Sequence, residues 1–169
     1  MKKYILAICF ISAALMPAFS QDKKAEREAA ALAAFEKAMA TIETKDFVII
    51  VDTYEVGQGI FENNTDVANF FSYEKEFAYL QGAILTGNNN TNKLTVSDFN
   101  QVTDKKGNVK TSMQTKGFFI NAKIEISLKK TVGSYADVII TPTKGNVKRF
   151  TGDIVPRAES KYFKRPGEI

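Results

Sequence analysis

The chain has 169 residues, with 23 Lys and Arg against 19 Asp and Glu, and it contains no His, no Trp and a single Cys. This length fits one domain with a substantial core, and 44% hydrophobic with 25% charged residues is ordinary for a globular protein. The absence of His excludes His-centred catalytic triads, proton transfer through imidazole and His metal ligands.

The N-terminal segment has the layout of a secretory signal peptide. Two lysines precede an apolar run over residues 4–16, and the small residues Ala18 and Ser20 follow at the positions that signal peptidase reads. We therefore predict a signal peptide over residues 1–20 and a periplasmic or secreted protein whose single domain covers residues 21–169. A retained membrane anchor is the alternative.

Cleavage after Ser20 would also narrow the available chemistry. Residues 1–20 contain the only Cys and two of the basic residues, so the remaining 149 residues have no Cys, 21 basic residues and 19 acidic ones. Disulfides, thiol catalysis and Cys-based metal sites are then excluded. The nearly balanced charge does not favour a nucleic-acid partner. We expect no membrane-spanning segment after cleavage, and no metal or organic cofactor.

Residues 22–44 are predicted to form one helix, because Ala, Glu, Lys and Arg dominate this stretch. Its larger apolar residues recur three or four positions apart, which places them on one stripe: Leu32, Phe35, Met39 and Ile42. We interpret the stripe as a packing face. A helix lying on a membrane surface is the alternative, which the glutamates of the polar face do not favour.

Beyond the helix, the sequence has the pattern of β-strands separated by turn residues. Strands are predicted over residues 47–51, 69–73, 77–81, 94–103, 108–113, 118–128, 135–141 and 147–154. The run over 118–128 alternates strictly, which predicts one buried face: Phe118, Ile120, Ala122, Ile124, Ile126 and Leu128. The fold class is therefore mainly β, an antiparallel β-sandwich or barrel-like domain with one N-terminal helix.

Several short motifs together resemble a family of exported Bacteroidetes proteins, domain of unknown function number 4251. After the helix, the chain has an Asn-Phe segment, Asn69 and Phe70, followed by Ala78 and Gln81. Arg-Phe-Thr-Gly follows later at residues 149–152. The last shared residues are Pro156, Ser160, Phe163 and Lys164. The resemblance covers nearly all of residues 21–169. It implies a mostly β domain at the cell envelope and supplies no catalytic residues.

The residue types that remain once His and Cys are excluded do not favour an enzyme. A carboxylate-dependent hydrolase would need two acids in one cleft, and no spacing in the sequence singles out such a pair. The Gly-Gln-Gly at residues 57–59 predicts a turn, because no helix follows to complete a phosphate site. Residues 104–108 predict a hairpin turn, because the spaced acidic ligands of a calcium loop are missing.

A binding module is the leading functional hypothesis. Aromatic residues crowd both faces of the predicted hairpin over residues 69–81: Phe70, Phe71, Tyr73, Phe77 and Tyr79. Those on the outward face, which the sequence does not identify, are the predicted surface for a small ligand or a partner. The competing interpretation is that both faces of this hairpin are buried.

A structural or protein-interaction component of the envelope is the second hypothesis. The helix, or the basic and aromatic tail over residues 156–169, would then dock on another protein. An apolar pocket of a few hundred Å³ would favour a small ligand. A solid core with an uncovered apolar patch would favour a macromolecular partner.

The predicted signal peptide has a direct test. If the chain is expressed with its own N-terminus and recovered from the periplasm, its intact mass should begin at Gln21. A protein that keeps residues 1–20 would contradict both the signal peptide and the predicted export.

Overall fold

A computed structural model describes the backbone of residues 16–169 and the side chains of residues 23–169. The predicted signal peptide therefore lies mostly outside the described residues. The elements are α1 (Met16–Glu43), β1 (Asp46–Ile50), β2 (Thr53–Gly57), β3 (Ile60–Asn63), β4 (Phe70–Glu74), β5 (Phe77–Gln81), α2 (Ala83–Thr86), β6 (Thr91–Thr103), β7 (Val109–Lys116), β8 (Asn121–Leu128), β9 (Tyr135–Pro142), β10 (Lys148–Pro156) and a 3₁₀ turn (Arg157–Glu159).

Eight of the strands close into an antiparallel barrel. Their order is β1-β4-β5-β6-β7-β8-β9-β10, and β10 pairs back with β1 to complete the ring. The hairpin of β2 and β3 is attached to the outside of this ring through β10. The general fold prediction is confirmed, and of its two forms the barrel is correct, because a single sheet closes on itself.

Side chains fill the barrel interior, as expected for an eight-stranded ring. Every second residue of each strand points inward, and the largest of these are fully buried: Phe47, Ile49, Phe71, Leu80, Leu94, Met113, Ile124, Ile126, Leu128 and Phe150. Aromatic rings pack edge to face in this core, with the Phe47 and Phe71 centroids 5.9 Å apart. The interior is therefore a packed core in which the hydrophobic effect holds the ring together.

Helix α1 packs on one end of the barrel through the predicted stripe. Phe35 and Ile42 are buried in the barrel core cluster, and Met39 packs against it. Gly133, in the turn between β8 and β9, lies against Ala34 of the helix. The packing face predicted from the sequence is confirmed. Within the described residues, no helix combines the length and the apolar character needed to cross a membrane.

Strand β10 has three partners and holds the ring and the outer hairpin together. Its first half pairs with β9 on one side and with β2 on the other, and its last residues pair with β1. The change of partner occurs at Gly152, where a Cβ would overlap the carbonyl oxygen of Ile50. Only glycine fits here, which gives a physical reason for the Gly of the Arg-Phe-Thr-Gly motif.

The C-terminal segment, residues 160–169, runs along the outside of β1, β4, β5 and β6. The buried Gln81 side chain holds its middle: the amide nitrogen donates to the carbonyl oxygens of Ala68 and Phe163, at 2.9 and 2.8 Å, and the amide oxygen accepts from Arg165 N at 2.7 Å. At its end, Ile169 N donates to the Thr91 carbonyl oxygen. This tail is docked on the barrel along most of its length.

A charged cluster adds to this docking. Lys164 Nζ lies 3.2 Å from Glu74 and 3.0 Å from Glu168, over the face of the Tyr79 ring. Burial alone would lower the pKa of Lys164, but its bond with Glu168 and the charge of Glu74 raise the pKa overall. The lysine therefore stays charged and joins the segment to β4 and β5.

Most predicted strands are present, with two differences. The strands β2 and β3 were not predicted, because they are short, of five and four residues, and lack a strong alternating pattern. The strand predicted over residues 118–128 begins only at Asn121. Phe118 was wrongly placed on the buried face, since residues 117–120 form the turn between β7 and β8.

The Gly152 crossing predicts a large stability change for a small substitution. Gly152→Ala should lower the free energy of unfolding by about 3 kcal/mol or more, because the methyl group must displace the β1 backbone. Gly57→Ala is the matched control, since nothing lies near a Cβ at residue 57. Urea denaturation of both variants measures the difference, and equal stabilities would contradict the role given to Gly152.

The Gln81 contacts predict that one amide holds the C-terminal segment. Gln81→Leu keeps the approximate volume but leaves the polar groups of residues 163 and 165 without their buried partner, which should cost about 3 kcal/mol. Hydrogen exchange over residues 160–169 should accelerate at the same time. The exposed Gln114→Leu is the control and should change neither quantity. Unchanged hydrogen exchange over residues 160–169 in Gln81→Leu would show that other contacts are enough to hold the C-terminal segment.

Candidate functional site

Four of the connections at the end of the barrel opposite α1 form what we call the open end, and the β3–β4 connection, residues 64–69, adjoins them at Gly82. The antiparallel pairing brings together the tip of the β2–β3 hairpin, the loop between β5 and β6 with α2, the β7–β8 turn and the β9–β10 loop. They comprise residues 58–59, 82–90, 117–120 and 143–147. Loops held at the ends of rigid strands are common positions for binding sites.

Two adjacent phenylalanines project from the β7–β8 turn. Phe118 is 83% exposed and Phe119 is 64% exposed, and their rings meet edge to face with centroids 4.6 Å apart. The turn is tight, because Gly117 N donates to the carbonyl oxygen of Ile120 at 2.9 Å. Exposure of such large apolar side chains to water is unfavourable in free energy, and a bound partner that covers them would remove this cost.

A cleft of about 450 Å³ lies beside this phenylalanine pair. Leu85 of α2 and Ile140 of β9 are buried side chains in its wall, and Ile120 is half-buried there. Residues of the β9–β10 loop and polar side chains complete its lining: Thr86, Asn121, Thr143, Lys144, Asn146 and Lys148. Its size lies within the range of small-ligand pockets, and its apolar wall with a polar margin is typical of them.

The lining of this cleft is positively charged. Lys144 and Lys148 are among its lining residues, and no Asp or Glu is. Neither lysine has an ion-pair partner within residues 23–169. An apolar molecule with an acidic group would therefore find complementary charge at the margin of the cleft.

The predicted surface on the β4–β5 hairpin is not open. Phe71 and Tyr73 point into the barrel core, and Phe70 and Tyr79 point outward but are buried. Phe77 is half-buried with Lys93 Nζ 3.9 Å from its ring centroid. The Phe70 ring packs against Tyr162 at 4.7 Å between centroids. Phe70 and Tyr79 thus meet the chain's own C-terminal segment and Phe77 meets Lys93, which corrects the sequence prediction.

A second groove, of about 300 Å³, contains three carboxylates. Each of them accepts a hydrogen bond from within the chain: Asp52 from Tyr135 Oη at 2.5 Å, Asp66 from Ala68 N at 2.9 Å and Asp153 from Ser134 Oγ at 2.7 Å. In residues 23–169, no group of three acidic residues is arranged to hold a metal ion. All three carboxylates of this groove therefore have hydrogen-bond partners inside the chain.

The open-end site was missed by the sequence analysis, although a signal for it exists. Residues 116–117, Lys-Gly, are turn residues, and the predicted strand began immediately after them. Had the turn been extended by three residues, Phe118 and Phe119 would have been recognised as apolar residues in an exposed turn. Strict alternation from Ile120 to Leu128 obscured this, because Phe118 also fits the alternation.

Comparison with solved structures supports the family resemblance. The crystal structure of a DUF4251 family protein from Bacteroides eggerthii matches this chain with a TM-score of 0.67 and 26% sequence identity, over 79% of this chain and 94% of the other. This chain is similar to DUF4251 proteins. The resemblance inferred from the sequence motifs is thus confirmed. No protein-family model matches the chain, and no curated protein matches it.

The DUF4251 resemblance also bears on the structural motifs. The Asn-Phe segment begins β4, the Ala and Gln lie on β5, and the Arg-Phe-Thr-Gly motif lies on β10. Gln81 and Gly152, the two residues whose contacts fix the C-terminal segment and the β10 crossing, are therefore both motif residues. The motifs that carry the resemblance are explained by the architecture and not by the cleft.

Proposed function

We propose that this protein is an exported, non-catalytic binding module that takes an apolar ligand in the cleft at its open end. The observation that carries the proposal is the exposed pair of Phe118 and Phe119 beside a cleft with a buried apolar wall. The barrel interior is filled, so the cleft at its end is where a ligand would be bound.

The energetics of the pair favour binding. Full burial of a phenylalanine side chain contributes about 2 to 3 kcal/mol of free energy. The turn itself loses little backbone freedom when a ligand covers the two rings, because the Gly117–Ile120 hydrogen bond already fixes it. A ligand that spans the cleft and both rings could therefore bind through apolar contact alone.

The polar margin indicates which ligands would be selected. Threonine hydroxyls, asparagine amides and two lysine ammonium groups surround the apolar wall. Such groups orient a ligand whose polar part stays at the mouth of the cleft while its apolar part contacts Leu85 and Ile140. The ligand class that fits best is a small amphiphile with an acidic group. Export, predicted from the signal peptide, would place this binding at the cell envelope.

An anionic aromatic probe tests the cleft. Anilinonaphthalene sulfonate should bind the wild type with increased fluorescence, and Phe118→Ser with Phe119→Ser should weaken binding about tenfold or more. The matched control is Phe163→Ser, which removes an exposed phenylalanine of the C-terminal segment. Lys144→Ala with Lys148→Ala should weaken the sulfonate but spare an uncharged aromatic probe.

Two outcomes would count against the proposal. Equal probe affinity of the wild type and the double phenylalanine variant would remove Phe118 and Phe119 from the site. Equal loss in Phe163→Ser would show that the probe reports general surface hydrophobicity. Native mass spectrometry of the gently purified protein adds a test of the natural ligand, since a bound molecule would appear as releasable extra mass.

A further inference from the structure

Exposed apolar side chains are concentrated at the open end beyond the cleft. Of the ten exposed large hydrophobic residues within residues 23–169, five lie at or beside the tips of its connections: Val56 (48% exposed), Ile60 (62%), Phe118 (83%), Phe119 (64%) and Val147 (46%). They belong to three separate connections, the β2–β3 hairpin, the β7–β8 turn and the β9–β10 loop. Of these five residues, Val56, Ile60 and Val147 do not line the cleft.

The charged residues of these four connections have one sign, whereas the adjoining β3–β4 connection carries Asp66, which accepts a hydrogen bond from Ala68 N. Residues 57–60, 82–90, 116–120 and 142–148 contain no Asp or Glu and three lysines, Lys116, Lys144 and Lys148. These lysines make no ion pair with residues 23–169. Glu55, on the hairpin stem, lies 3.6 Å from Arg149 and accepts a hydrogen bond from Gly59 N. Its charge is thus already compensated.

The opposite end of the barrel has a different composition. Its connections carry both signs of charge, with Glu76 in the β4–β5 turn, Asp104 in the β6–β7 turn and Glu159 after β10. Glu159 is paired with Lys37 of α1 at 2.7 Å. The opposite end also has lysines that make no ion pair within residues 23–169, Lys105, Lys106 and Lys130, and an exposed Val132. What distinguishes the open end is therefore the larger exposed apolar side chains beside its lysines, above all the phenylalanine pair and Ile60.

We infer that the open end docks on the surface of an anionic phospholipid membrane. Ile60, Phe118 and Phe119 would enter the interface between headgroups and acyl chains, while the three lysines lie near lipid phosphates. The separation of the tips favours a membrane over a protein partner, because a fluid surface accepts several isolated apolar tips without a matching hollow for each. This inference goes beyond the proposed function, since it does not require a ligand in the cleft.

Vesicle co-sedimentation tests this docking on the protein expressed with its own N-terminal segment. The wild type should bind mixed phosphatidylglycerol and phosphatidylcholine vesicles at low salt and bind pure phosphatidylcholine vesicles much less. Lys116→Ala, Lys144→Ala and Lys148→Ala should each weaken binding about fivefold. The matched control replaces three lysines of the opposite end, Lys105→Ala, Lys106→Ala and Lys130→Ala, and should leave binding unchanged.

The apolar tips need their own variant, separate from the cleft. Ile60→Ser should weaken vesicle binding about fivefold or more and leave the affinity for anilinonaphthalene sulfonate unchanged, because Ile60 does not line the cleft. Val102→Ser, an exposed residue on β6 near the opposite end, is the matched control. This design separates the docking from the proposed cleft, since either result can fail while the other holds.

Four results would overturn the inference. The first is equal binding of the wild type to both kinds of vesicle or to neither. The second is an equal loss in the lysine control set, which would indicate nonspecific attraction to the whole chain. The third is vesicle binding that stays as strong as in the wild type both in Ile60→Ser and in the open-end lysine variants. The fourth is competition by soluble glycerol phosphate, which would indicate a free phosphate site in place of a membrane surface.

Discussion

The closure of the barrel by β10 is the constraint on which the rest of the structure depends. This strand pairs with β9, β2 and β1 within nine residues, and the change between β2 and β1 requires two backbones to approach at Gly152 without a side chain between them. The β2–β3 hairpin is excluded from the ring by the same change, and its tip is directed toward the open end. The barrel core and the candidate surface therefore follow from one crossing.

The C-terminal segment determines which faces of the barrel remain available. The outer face of β1, β4 and β5 is apolar, with Val48, Phe70 and Tyr79 forming their own buried cluster. The segment covers this face and is held there by the buried amide of Gln81 and by Lys164. Because other residues of the chain already cover the outward aromatic side chains of the β4–β5 hairpin, the exposed apolar residues of the open end are the better candidates for a binding surface.

The architecture could be predicted well from the sequence, because strands with one buried face have alternating apolar residues and the turns between them have characteristic residues. The helix stripe, the β4–β5 hairpin and the alternation of β8 are each confirmed. It could not predict that Phe70 and Tyr79 are covered, because the covering residues lie more than 80 positions away and the contact depends on the path of the tail. Phe118 was misplaced for the opposite reason, since a local pattern fits it although the backbone has already turned.

A comparison of two turns within the chain supports a functional origin for the phenylalanine pair. The β6–β7 turn uses Asp104 to accept bonds from Lys106 N and Asn108 N, and its other residues are Lys and Gly. At the opposite end, polar residues alone are therefore enough to form a hairpin turn of similar length. The β7–β8 turn is closed by the backbone hydrogen bond from Gly117 N to the Ile120 carbonyl oxygen, yet it places two phenylalanines in solvent. Folding alone does not require them there, so an apolar contact outside the chain is the physical reason we infer for their position.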